Sequence, residues 1–316
     1  MDKGESTMET EARFNRAKRS MGWLRDYPDF RDYTMGHDIV PEHIKLFQPL
    51  SVDTVRSMLR KTGVGNGTVI PAKIDVREWC SPIEDQGALG SCTAQAAASL
   101  VEYFERRAFG KHIDVSRRFL YKTTRNLMHA TGDTGAFLRS TMGALVLFGV
   151  PPEEYWPYNP PYFDKEPPAF CYAFAQNYKA INYYRLDTPG VTPQELLKRI
   201  RENLVLGLPS MFGFTVYNSI DQADASGKIP FPSHNETIQG GHAITAVGYD
   251  DGLVIKNGAK NSIETIGALL IRNSWGTGWG MNGYGWFPYA YVLRGLADDF
   301  WSLVKNEWVD TGNFGE

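Results

Sequence analysis

The sequence predicts an α+β protein of two lobes, the first mainly helical and the second mainly β. Three observations carry this expectation. The chain has 316 residues, enough for two lobes of ordinary size. Helical spacing falls in four segments before residue 206, and the stretch from Thr245 to Trp275 alternates β-forming residues with turn signals. In chain order, residues 1–20 are polar, and GWLRDYPDFRDY then mixes aromatics with charges without periodicity, as an extended arm would. A short helix is predicted at 53–61, with Val55, Met58 and Leu59 on one face, Ser51 or Asp53 as cap and Gly63 as stop. GVGNGT then makes a joint. Pro71, Pro82, Gly87 and Gly90 keep 71–90 extended or looped. From Cys92 to about Phe109, the spacing of Ala94, Ala97, Ala98, Val101 and Phe104 predicts a helix packed closely by its neighbours. Further helices are predicted at 137–148, ended by Gly149, and at 193–205, with a Pro-rich connector at 155–168 between them. Asn257-Gly258 is a strong hairpin signal inside the β-rich part. The resulting division is an extension at 1–70, a helical lobe at 71–180, a β lobe at 181–305 and a tail at 306–316, with no internal repeat.

Composition narrows the classes of function. Lys and Arg number 33 against 36 Asp and Glu, a net charge of -3, so no electrostatic excess points to nucleic acid or an anionic membrane as partner. No apolar run approaches the roughly 18 residues of a membrane span, and the first 20 residues lack the apolar core of a secretory signal. A cytoplasmic location is expected for the chain as it stands, with secretion by another route left open. Three cysteines, Cys80, Cys92 and Cys171, allow one bridge at most. The spacing leaves open whether Cys80 and Cys171 pair. The histidines have no metal-ligand spacing, so no metal is expected. Gly278, Gly280 and Gly283 match a dinucleotide fingerprint, but the strand-like YGWFPYAYV follows them instead of a helix, and no cofactor is expected.

Three segments carry chemistry. In Gln86-Gly87-Ala88-Leu89-Gly90-Ser91-Cys92 a glycine-containing loop delivers a cysteine to the first turn of a helix, where free N–H groups and the dipole favour a thiolate. Taken alone, Cys92 could equally be a small buried residue. In the second segment Gly240 and Gly241 open space before His242, which starts an apolar strand with Ala243. The third is a strand running into Asn273-Ser274-Trp275-Gly276-Thr277-Gly278-Trp279-Gly280.

In this order, with Gln86 six residues before Cys92, then Tyr155-Trp156-Pro157-Tyr158, Gly241-His242-Ala243 with Val247-Gly248-Tyr249, the Asn-Ser-Trp-Gly block with Asn282-Gly283-Tyr284, and Asp298-Asp299-Phe300-Trp301, the chain resembles the papain-like cysteine peptidases from about Ile74 to Leu303. The resemblance implies a helical lobe and an antiparallel, barrel-like β lobe with the cleft between them. It implies an endopeptidase acting on peptides or proteins through a Cys-His-Asn triad and a thioester acyl-enzyme. Cys92 would be the nucleophile, His242 its proton partner, Asn273 the residue orienting the imidazole under Trp275, and Gln86 an oxyanion donor. Gly135, Ala136, Ser210, Gly240, Gly241 and Ala243 would lie along the substrate, Ala136, Ser210, Gly240 and Ala243 near the pocket that reads the residue two before the cut. A peptide ligase using the same thioester, and a silent peptide-binding homologue, are the alternatives.

Two departures resemble the bacterial and archaeal branch. Leu89 stands where a disulfide cysteine is usual, and Thr93 replaces the usual Trp after the nucleophile. Family members commonly carry an N-terminal extension across the cleft. Residues 1–70, with Trp23, Tyr27, Phe30 and Tyr33, are therefore expected either to cover Cys92 as an inhibitor released by cleavage at 63–71, or to pack permanently as part of the fold.

Overall fold

A computed structural model describes residues 19–30, 32–37, 39, 53–63, 67, 69–178, 182–258 and 263–315. In chain order the elements are β1 (Trp23–Leu24), α1 (Val55–Lys61), β2 (Lys73–Asp75), α2 (Cys92–Phe109), α3 (Arg117–Leu127), β3 (Ala136–Phe137), α4 (Leu138–Phe148), α5 (Ala169–Ala175), β4 (Asn182–Arg185), α6 (Pro193–Val205), β5 (Ser210–Tyr217), β6 (Ile238–Lys256), β7 (Glu264–Arg272), β8 (Tyr284–Pro288), α7 (Tyr289–Leu293), β9 (Ala297–Val304) and α8 (Asn306–Val309).

Helix α2 is the hinge of the architecture. Every side chain from Cys92 to Phe104 is buried, because α3 and α4 pack one side while β5 and β6 approach the other. Ala94, Ala96, Ala97 and Ala98 permit that approach, and Gly110 ends the helix in the left-handed conformation. The β lobe is an antiparallel sheet ordered β4-β9-β5-β6-β7-β8, with β2 added against the far half of β6. Phe212, Phe214, Phe287 and Tyr291 interlock in its core.

One local expectation differs from the structure and another is met. The cap of α1 is Thr54, whose hydroxyl accepts from Ser57 N at 3.0 Å, rather than Ser51 or Asp53; Ser51 lies outside the described residues. The hairpin expected around Asn257-Gly258 is present: β6 and β7 are antiparallel partners that part at Lys256 and Glu264, and the Asn257 side chain donates to Phe231 O at 3.0 Å and to Glu236 Oε1 at 2.6 Å.

Among the described residues, the N-terminal extension has two parts. Asp32, Tyr33 and the α1 side chains Val55, Met58 and Leu59 belong to the core. Asp32 pairs with Arg139 at 2.6 Å and Arg185 at 3.3 Å, and Tyr33 Oη accepts from Val55 N at 2.8 Å. Residues 19–24 instead run through the cleft, where β1 pairs with β3 in parallel.

Candidate active site

Cys92 opens α2, whose N-cap Ser91 makes no side-chain capping bond; its hydroxyl meets Tyr158 Oη at 2.7 Å. The first N–H groups of the helix are therefore free to face the sulfur, those of Cys92 and Thr93 joined by Ala243 N–H from the other lobe. His242 sits on β6, opposite Phe214 of β5, and its Nε2–H donates to Asn273 Oδ1 at 2.8 Å. Asn273 stands just past the end of β7, and its Oδ1 also accepts from Ser274 N at 2.8 Å. With Nε2 so engaged, Nδ1 is the nitrogen of His242 left without a hydrogen bond among the described residues. Trp275 stacks on the imidazole at 4.5 Å between ring centres and covers the His-Asn bond from water. Gln86 joins the two lobes. Its backbone N–H donates to Ser274 O at 2.9 Å, its Oε1 accepts from Ser274 Oγ at 2.6 Å, and its Nε2 points into the cleft.

Residues 19–24 occupy that cleft. Gln86 Nε2 donates to Ser20 O at 3.0 Å, Gly22 N–H faces the Cys92 sulfur, and Gly22 O accepts from Ala136 N at 2.7 Å. Gly22 passes between Gly90 and Gly135 at a distance that only glycine allows: a Cβ on it would stand 2.5 Å from the Gly90 carbonyl carbon. Arg19 closes the far end, its guanidinium 5.1 Å from the Trp275 ring centre and 2.6 Å from Asp224 Oδ1.

The electrostatic state differs from the one the helix N-terminus alone suggests. Burial beneath this segment pushes the Cys92 thiol up to about 11, outweighing the four N–H groups on the sulfur. Burial likewise pushes the His242 imidazole down to about 4, against the effect of its bond to Asn273. Covered, the pair is a neutral thiol beside a neutral imidazole.

Of the residues expected along the substrate, Ala136 pairs with Trp23 across β3 and β1, and Gly135, Gly240 and Gly241 each border residues 21–23. On β5 the indole of Trp23 lies against Gly213, and Ser210 lies three residues away, buried and paired with Ala246. Sequence reasoning does not single out Gly213, and it quotes Ser274 and Asp299 within their blocks without assigning either a role. Asp299 was legible as an acidic pair, Asp298-Asp299, at the head of an aromatic strand. All three cysteines are buried and free. Among the described residues no group of His, Cys, Asp and Glu could hold a metal, and no helix is long and apolar enough to cross a membrane.

Residues 70–293 match the model of the papain family cysteine proteases. The chain belongs to this family. Its members are hydrolases of peptide bonds. Within it, the chain is 32% identical to an uncharacterised peptidase C1-like protein of Acanthamoeba polyphaga mimivirus, an alignment covering 91% of this chain and 87% of the viral one. A senescence-specific cysteine protease of Arabidopsis thaliana is 30% identical over 73% of this chain and 60% of its own length. Among solved structures, xylellain, a cysteine protease from Xylella fastidiosa, superposes with a TM-score of 0.66 at 30% identity, covering 91% of this chain and 97% of that one. The two-lobe α+β papain fold is thus common to chain and relatives.

Proposed function

We propose that this papain-family protease is an endopeptidase whose own residues 19–24 keep it latent. Cys92, His242, Asn273 and Gln86 form the machinery. His242 Nδ1 takes the Cys92 proton, and the thiolate attacks the scissile carbonyl. The oxyanion accepts from Gln86 Nε2–H and Cys92 N–H, the imidazolium protonates the leaving amine, and a thioester remains. Water, deprotonated by His242, then releases the acyl product and restores the thiol. The His242 to Asn273 bond supports this reading, because it fixes the proton on Nε2 and leaves Nδ1 to accept one.

Latency rests on the course of residues 19–24. In a peptide about to be cut, the carbonyl at the oxyanion donors follows the residue in the upstream pocket. Here the carbonyl on Gln86 is that of Ser20, three residues before Trp23. The segment thus lies in the cleft backwards, opposite in direction to a peptide about to be cut. The extended likeness to xylellain, together with Leu89 and Thr93, supports placing the chain in the bacterial and archaeal branch.

The test is peptide hydrolysis by the full chain before and after displacement of residues 19–24, with mass spectrometry of products in the presence of an amine acceptor. Hydrolysis that appears on displacement and vanishes in Cys92→Ala supports the proposal; amide products in place of acids would make the chain a ligase.

A further inference from the structure

The slot that holds the Trp23 indole has a carboxylate as its floor. Trp23 Nε1 donates to Asp299 Oδ2 at 3.0 Å, and Asp299 is fully buried. Its other oxygen is already engaged: Oδ1 accepts from Trp301 Nε1 at 2.6 Å and lies 3.4 Å from Arg185 Nη2. Oδ2 is therefore the oxygen turned to the cleft. The walls are set by absent side chains, since a Cβ on Gly213 would fall within the fused ring of the indole, and one on Gly241 would stand 2.9 Å from its Cε3.

The chain is distorted locally to aim this carboxylate. The pairing of β9 with β5 slips between Met211 and Gly213, and Asp299 takes a left-handed backbone, φ 64°, which a residue with a side chain adopts only at a cost. Asp187 holds the distortion open by accepting from Asp299 N and Phe300 N, each at 2.8 Å. Arg185 does not need Asp299 for charge balance, because Asp187 Oδ2 at 2.9 Å and Asp32 Oδ2 at 3.3 Å already face it. The arrangement is built toward the slot.

We propose that Asp299 is a specificity-determining residue, selecting substrates whose side chain in this slot is a flat ring with an N–H donor at its far edge, tryptophan foremost. This rests on the peptidase reading above. When residues 19–24 leave, the substrate side chain replaces Trp23. A ring of the same outline without the donor strands a buried carboxylate oxygen, and a site built around a hydrogen bond rejects such an analogue strongly.

The first arm of the test leaves Asp299 unchanged. In the full chain carrying Gly22→Ala, which unseats the covering segment, two fluorogenic peptides are compared that differ only two residues before the cut, one with tryptophan and one with 3-benzothienylalanine, whose ring has sulfur in place of N–H. The tryptophan peptide should show a kcat/KM roughly 10- to 100-fold higher. Equal values, or an arginine or leucine peptide cleaved faster than the tryptophan one, overturn the proposal. The same pair is also titrated onto the Gly22→Ala, Cys92→Ala chain, where binding needs no turnover. Tighter binding of the tryptophan peptide there by about tenfold sustains the slot assignment even if no peptide is hydrolysed, in which case the peptidase reading alone falls. In Asp299→Asn, which offers one acceptor to two N–H groups, the ratio should shrink to within about threefold.

Discussion

Gly22→Ala in the full chain should convert a latent protease into an active one. The added Cβ would stand 2.5 Å from the carbonyl carbon and 2.8 Å from the Cα of Gly90. Carbon atoms pack at about 3.5–4.0 Å, so the segment must retreat by roughly 1 Å from backbone that cannot yield. Retreat on that scale breaks the 2.7 Å bond from Ala136 N to Gly22 O and draws the Trp23 N–H off Asp299. The neutral bond contributes about 1 kcal/mol and the one to the carboxylate about 1.5–3. A loss of about 3 kcal/mol moves the balance between covered and open cleft by roughly 100-fold. The open fraction, and with it kcat/KM on a fluorogenic peptide, should rise at least about tenfold, limited by complete opening. Thermal unfolding should shift little, because Asp32, Tyr33 and α1 still hold the rest of the extension. If Gly22→Ala is folded, its Cys92 is alkylated stoichiometrically, and hydrolysis stays at the wild-type level, residues 19–24 do not control the site.

Other outcomes follow from the same geometry. Alkylation of Cys92 in the unaltered chain should climb with pH toward about 11, since a thiol with a raised pKa stays protonated below it, whereas Gly22→Ala should react near neutrality with a bell-shaped kcat/KM profile; identical profiles would remove burial as the cause. In the Gly22→Ala background, Gln86→Ala should lower kcat by roughly 10²–10³ with little effect on KM, as loss of one oxyanion donor does. Asp32→Ala should cost about 1.5–3 kcal/mol in urea unfolding, because it removes a charge-assisted bond from Arg139 and a partner from the buried Arg185, which keeps Asp187. Proteolysis in the exposed stretch around Tyr27 and Phe30 should activate, and a cut at 63–71 should not, as hydrolysis assays on each nicked chain will register.

Much of this architecture is legible in the sequence where the signal is local. The Ala-rich run after Cys92 announces a helix with neighbours on every side, and Gly110 ends it where the periodicity does. Helix α3 is not legible, because its buried Arg117, Arg118, Lys122 and Arg125 read as solvent-facing. They are inside because partners from distant segments meet them: Glu102 for Arg117, Tyr162 O for Arg118, and Asp164 for Lys122 and Arg125. Asn257-Gly258 does mark the β6–β7 hairpin, but the hold of Phe231 O and Glu236 on its asparagine amide is likewise a matter of distant partners. At the site, residue types and order point to Cys92, Gln86, His242 and Asn273, which the fold brings round one cleft. Asp299 was passed over because its meaning depends on a register slip and on Trp23, 276 residues away. The extension reads as one unit, and only tertiary packing divides the part in the cleft from the part in the core.

That division has a consequence for how the enzyme is governed. A stopper that drifts off once cut is a fuse: it works once and leaves the catalyst permanently live. Here Asp32, Tyr33 and α1 are built into the core, so an intact stopper that swings out remains on its leash and can swing back. On the latency proposed above, such a device would be a valve, its setting dependent on the concentration of competing peptide, and activity would subside by itself once substrate runs out.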